Sequence, residues 1–264
     1  MWKSLIVLLI PALLAAKVHY AKVEPYETIT LKAAASGQIV DVNLDAEGTR
    51  VKNSRVIHID DKLNRIDLND TKESLVLLEQ MLGINQEIAD SLAETVKRQE
   101  GYYHRISKLA TASKTQKDNA YSAFASAKTQ YLGTKEKIVS LKKQILDMRY
   151  KIDMLKDTIA KKSIVLHDRY LDKLLVKEGE YVAPGSPLAR INNMTQAKLV
   201  LFLEPEELPG IKQKHVFLND KATTYHVNKV WHVTDEKYIS SYRAEIYLSA
   251  PKAYFSKLMK VELK

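Results

Sequence analysis

The chain has 264 residues, no cysteine and a net charge of +9. Without cysteine there is no disulfide framework, no thiolate zinc site, no cysteine nucleophile and no lipidated N-terminal cysteine. The positive balance suits an anionic membrane surface or nucleic acid, yet no nucleic-acid motif is present and acidic residues lie among the lysines, so most of the charge reads as solvated surface.

In chain order, Met1-Trp2-Lys3 precedes an almost wholly apolar run from Ser4 to Ala16, the pattern of an export signal. The run is shorter than the ~20 residues of a spanning helix, and its cleavage signals are poor, with Leu14 or His19 at the −3 position. Residues 1–25 therefore read as a cleaved signal peptide or a retained N-terminal anchor followed by a polar connector; either exports the remainder. Residues 26–63 alternate like strands, first over Tyr26 to Leu31 and then from Gly37 to Leu44, with Gly48 and Asn53 at turn positions.

Residues 64–162 read as two long amphipathic helices folded back on each other. In the second arm, steps of three and four join Ala120, Phe124, Ala127, Tyr131, Thr134, Ile138, Leu141, Ile145, Met148, Ile152, Leu155 and Ile159, a heptad seam. The first arm keeps that rhythm through Leu75, Leu78, Leu82, Asn85, Ala89, Leu92, Val96, Gln99, Tyr103, Ile106 and Ala110. Ser113 with Gln116 three residues on is a capping-box signature, which puts the turn near Ser113. The arm from Lys114 to Lys162 carries +7 and the arm from Asn64 to Ser113 carries −2, which favours antiparallel pairing within one chain.

Beyond the rod, residues 163–194 repeat the first β segment. Val40, Leu44, Glu47, Gly48, Val51, Ser54 and Ile57 align with Leu171, Leu175, Glu178, Gly179, Val182, Gly185 and Leu188 at a constant offset of 131. Two β halves split by an inserted helical hairpin resemble the periplasmic adaptor subunits, the HlyD-like membrane-fusion proteins of bacterial tripartite efflux and secretion systems. The resemblance implies an α+β fold in which a long antiparallel coiled-coil hairpin interrupts a lipoyl-like β-sandwich. One departure is His167-Asp168-Arg169, where the family's second half usually has Pro and Gly. Asp61-Lys62 resembles the attachment dipeptide of lipoyl and biotinyl carriers, the rival reading, but Lys62 falls at the expected base of the rod and not on a hairpin tip. No cofactor is expected.

Residues 195–264 predict strands at Ala197 to Leu203, His215 to Leu218, Thr223 to Val233, Tyr242 to Leu248 and Met259 to Leu263, with a short helical turn at Glu204 to Leu208. The family places a small β-barrel there. Many pump-associated members are similar but continue into a membrane-proximal domain, for which this sequence has no length. Seven histidines show no metalloprotease spacing, although His226 and His232 share one strand-like stretch. Met148 and Met154 read as seam and flank of the rod. No phosphate loop, nucleophile elbow or acid/base pair is present, so no enzyme is expected.

The tip is the candidate binding site. Arg105 and Leu109 match the opening Arg-x-x-x-Leu of the family's hairpin-tip motif, and Ser113 and Asp118 match its later Ser and Asp, across a loop about three residues shorter than usual. The resemblance implies that these four residues meet a TolC-like outer-membrane channel. It also implies a partner transporter of RND or ABC type in the inner membrane, and a homo-oligomeric ring, six copies in the family.

Overall fold

A computed structural model describes residues 17–234, 238–249 and 255–264. Its elements are β1 (Val18–Lys32), β2 (Gly37–Val42), β3 (Thr49–Ile59), α1 (Lys62–Lys108), α2 (Lys114–Lys161), β4 (Ser163–Leu174), β5 (Tyr181–Val182), β6 (Pro187–Leu203), β7 (Val216–Leu218), β8 (Lys221–Ala222), β9 (Lys229–Thr234), β10 (Tyr242–Ser249) and β11 (Leu258–Leu263). The apolar N-terminal segment read as signal or anchor lies outside the described residues. Among those described, no helix is long and apolar enough to cross a membrane.

α1 and α2 contain 47 and 48 residues and pack antiparallel into one hairpin, a rod of roughly 70 Å at 1.5 Å per residue. Every α2 seam residue expected from the heptad is buried or half-buried. In α1 the seam extends below Leu75 through Leu68 and the buried Thr71, while Ala110 lies exposed in the tip loop. Buried polar groups in the seam are satisfied within their own helix. Asn85 Nδ2 donates to the Met81 carbonyl at 2.7 Å and Thr71 Oγ1 to Asp67 at 3.2 Å. Stability along the rod therefore comes from apolar burial, with Arg149–Glu79 and Lys151–Asp67 crossing at its margins.

The rod stands on a first β lobe whose core includes Ile39, Val56, Ile57, Ile59, Leu171 and Leu188. Its two halves embrace reciprocally. The Gly48 N–H donates to the Leu171 carbonyl at 2.8 Å and the Gly179 N–H to the Ile39 carbonyl at 2.9 Å. Arg50 pairs with Tyr170 across β3 and β4 as Tyr181 pairs with Gln38 across β5 and β2. The offset of 131 thus holds for the turns, but in the strands the counterpart of buried Leu171 is Ile39; Val40 is 40% exposed. Irregular pairing between Ile39 and Asp41 accounts for the one-residue slip. Asp168, within the His167-Asp168-Arg169 departure, adopts a left-handed φ of 51°. Asp tolerates that region better than most residues, and Arg50 grips its carboxylate with two 2.7 Å hydrogen bonds, holding it below the usual carboxylate range.

A second lobe gathers Val23, Leu199, Leu201, Leu203, Val216, Ile246 and Val261 around its own core. Two long strands serve both lobes. β1 begins at Val18, where the sequence suggests a connector up to residue 25, because Ala21 and Val23 alternate inward between Lys22 and Glu24. β6 runs unbroken through residues 194 and 195. Pairing of β1 with β6 from Lys32–Pro187 to Val23–Leu199 makes a continuous ribbon through both lobes. The strand expected over Thr223 to Val233 is shorter, since residues 223–228 lie outside any strand. Thr223 Oγ1 donates to the Val216 carbonyl and accepts from the Tyr225 N–H, a local side-chain bond that competes with a ladder.

On β11, Glu262 accepts from Lys260 Nζ at 2.8 Å and Lys264 Nζ at 2.6 Å, which hold its carboxyl at about 2 against an ordinary 4.5. A carboxyl depressed on folding contributes stability that is complete above its unfolded pKa and is lost as pH falls through the folded one. Melting should therefore drop between pH 4.5 and 2, and Glu262→Gln should flatten part of that slope. An identical slope in the variant would show the two lysines to be idle.

Candidate functional site at the hairpin tip

The far end of the rod is built by two helix termini. Ser113 caps α2: its Oγ accepts from the Gln116 N–H at 3.3 Å, and Gln116 Oε1 accepts from the Ser113 N–H at 2.9 Å. Both halves of the expected capping box are present. Leu109 ends α1 in an extended conformation, its N–H donating to the Ile106 carbonyl at 3.2 Å, and its side chain is 49% exposed. Arg105 lies exposed one turn before Leu109, with its guanidinium over Gly101. Asp118 is exposed in the second turn of α2. The structure thus brings Arg105, Leu109 and Ser113 to one end, with Asp118 just below.

Charge there breaks a local rule. Cations are favoured at a helix C-terminus, as Arg105 and Lys108 are in α1, but disfavoured at an N-terminus. α2 nevertheless opens with Lys114 and Lys117 and has no acid in its first turn. Lys108 and Lys114 bracket the loop in exposed positions. They flank the candidate residues at the tip, marked in the sequence by the basic residues on either side of the turn. Below the loop, Tyr103 stacks on Phe124 with centroids 6.1 Å apart and also meets Tyr121 at 5.5 Å, tying the two arms together. A rigid end presenting an apolar side chain among four cations suits a partner that offers carbonyls or carboxylates around an apolar recess.

The base shows where the remaining candidates fall. Lys62 is the first residue of α1 and exposed. Beside it, buried Asp61 pairs with Arg65 at 2.7 Å and His58 at 3.4 Å, and the Arg65 guanidinium draws its carboxyl below the ordinary range against the pull of burial. Lys162 Nζ closes the hairpin by donating to the Asp60 carbonyl at 2.7 Å and Asn64 Oδ1 at 2.8 Å. His226 and His232 are both exposed and do not share a strand, because β9 starts only at Lys229. Among the described residues, no three His, Asp or Glu side chains are arranged to hold a metal.

No protein-family model and no curated protein matches this sequence. Solved structures do. MacA from Actinobacillus actinomycetemcomitans is similar at 14% identity and a TM-score of 0.73, over 94% of this chain and 78% of that one. A MacA–MexA chimera carrying the Pseudomonas aeruginosa MexA α-hairpin domain matches at 16% identity and 0.58, over 94% and 78% of the two chains. The membrane fusion protein Spr0693 from Streptococcus pneumoniae R6 matches at 8% identity and 0.58, over 94% of this chain and 99% of that one. A long helical hairpin rising from a β base is what they have in common with this chain, which therefore has the fold of the periplasmic adaptor, or membrane-fusion, proteins.

Proposed function

We propose that the chain is a non-enzymatic periplasmic adaptor of a tripartite efflux system, associated with the inner membrane and linking a transporter there to a TolC-like outer-membrane channel. The observation that supports this reading is the rod itself: a single-chain hairpin of ~70 Å whose far end carries exposed Arg105 and Leu109 beside the Ser113 cap. In this reading the first lobe is the lipoyl-like module, the second is the small barrel, and copies assemble into a ring whose rods enclose a conduit. An ABC exporter in place of an RND pump is the alternative energising partner.

The tip separates function from stability. Arg105→Asp reverses a charge that can donate to helix-end carbonyls, and Leu109→Glu places a charge in an apolar contact. Each should abolish export while the rod and both lobes remain folded. Ser113→Ala should be milder, since losing a cap costs about 1 kcal/mol of helix stability and leaves its neighbours in place. A cross-link from cysteine at Ser113 to an outer-membrane protein should vanish with Arg105→Asp. Full export by the Arg105→Asp, Leu109→Glu double variant, made at normal levels, would refute the reading.

A further inference from the structure

The strands of the second lobe run in the order β8-β7-β11-β1-β6-β10-β9, and the two ends of that series do not pair. β8 is two residues long, residues 223–228 join it to β9 outside any strand, and among the described residues β9 pairs with β10 alone. The six residues Lys229–Thr234 therefore present, on their other edge, a row of backbone N–H and C=O groups without a ladder.

Beside that edge the core is open. A slot of about 240 Å³ is lined by Val230 and His232 of β9 and, across from them, by Leu208, Ile211 and Lys212. Val230 pairs with the fully buried Ala244 of β10, so this is the core side of the strand; Ile211 belongs to the core, and Val230 and Leu208 pack against it. The lining includes no acid. On the opposite side of β9, Trp231 lies between cations, with Lys229 Nζ 4.3 Å and the Arg243 guanidinium 4.9 Å from its ring centre. Alternate residues of β9 thus face an apolar recess and a cationic surface.

A strand laid along this edge meets the same alternation: every second side chain enters the slot, and the others pass beside Lys229. We propose that β9 takes up an extended segment of a partner protein by strand addition, and that this segment alternates apolar with acidic residues. Its backbone completes the ladder, its apolar side chains fill the slot, and its carboxylates answer Lys229 and Lys212, both exposed. A second β9 is a poor occupant, since it brings another lysine and histidine to an edge that already carries both. The proposal goes beyond the adaptor reading and uses the second lobe alone, so it is decided independently of the tip.

The probe is a fluorescein-labelled octapeptide alternating Glu and Leu, titrated into the full chain at concentrations where the peptide is monomeric. Its anisotropy should rise saturably, and hydrogen exchange should slow at residues 229–234. A peptide of the same composition with its Glu and Leu in two blocks should bind several-fold more weakly. N-methylation of every second amide strips one edge of the peptide of its donors, and at least one of the two peptides so made should lose binding. His232→Trp, at an exposed position, fills the slot and should abolish binding. Lys212→Glu with Lys229→Glu should weaken binding several-fold, and a peptide alternating Lys and Leu should then bind this double variant better than the unaltered chain. Circular dichroism checks that each variant is folded. Absence of saturable binding, slowed exchange only outside β9, full binding by both methylated peptides, or indifference to His232→Trp overturns strand addition at this edge. A dimer of the free chain that the peptide dissociates would assign the edge to a second copy and overturn the choice of occupant.

Discussion

Leu141→Asp or Ile145→Asp should melt the rod and leave both β lobes folded. These side chains are 3% and 5% exposed at the middle of the α2 seam. A carboxylate placed there has no partner, and burying one unpaired costs several kcal/mol unless it protonates or the helices part. Total stabilities are only about 5 to 15 kcal/mol, and a two-helix seam has no second layer to absorb the loss. Helical circular dichroism should fall and its melting temperature with it, while hydrogen exchange in β3 and β10 stays slow. Leu146→Asp is the control: one residue further along and 63% exposed, it should change stability by no more than about 0.5 kcal/mol. Unchanged helicity in both seam variants would overturn the packing of α1 on α2.

The second large effect lies in the β base. Leu199 is fully buried on β6 and pairs with Val23 of β1 and Ile246 of β10, so Leu199→Ala should cost about 2 to 5 kcal/mol through lost burial and the cavity left behind. The loss should reach both lobes, because β6 also supplies Leu188, Ala189 and Ile191 to the other core. Amides in β3 of the first lobe and β10 of the second should then exchange faster together. Acceleration confined to β10 would show that the lobes open independently.

The rod was the most legible part of the chain, because a heptad maintained over twelve positions leaves one solution for the buried face, and Ser113 with Gln116 marked where it reverses. Asn64, Leu68 and Thr71 extend that seam downward but were hidden by polarity at two of the three positions. The split repeat was visible through its turns, whose glycines are fixed by backbone shape: Gly48 and Gly179 have φ of 73° and 90°. Its strands were off by one residue, since Ile39 and Val40 are equally apolar and only pairing decides which faces inward. The ribbon was missed at both domain boundaries. The boundary expected between residues 194 and 195 falls in a polar stretch, Asn192-Asn193-Met194-Thr195-Gln196, yet Asn192 is buried and its Oδ1 accepts from Thr28 at 2.8 Å. At the tip, the spacing of Arg105, Leu109 and Ser113 was readable, whereas the exposure of Lys108 and Lys114 around them depended on where each helix ended.

The ribbon of β1 and β6 has two irregular rungs, one between Leu31 and Lys32 and one between Pro25 and Glu27, where the lobes meet. Pro25 has no N–H to donate, and a shift in pairing bends and twists a strand. The rod is rooted in the first lobe alone, through β3 and β4. Rocking that lobe by about 5° about the rung between Pro25 and Glu27 would sweep a tip roughly 70 Å away through roughly 6 Å, close to one helical pitch. Such a rotation would make the rod a lever: a displacement smaller than a side chain at the base would become a step of about one helical pitch at the tip.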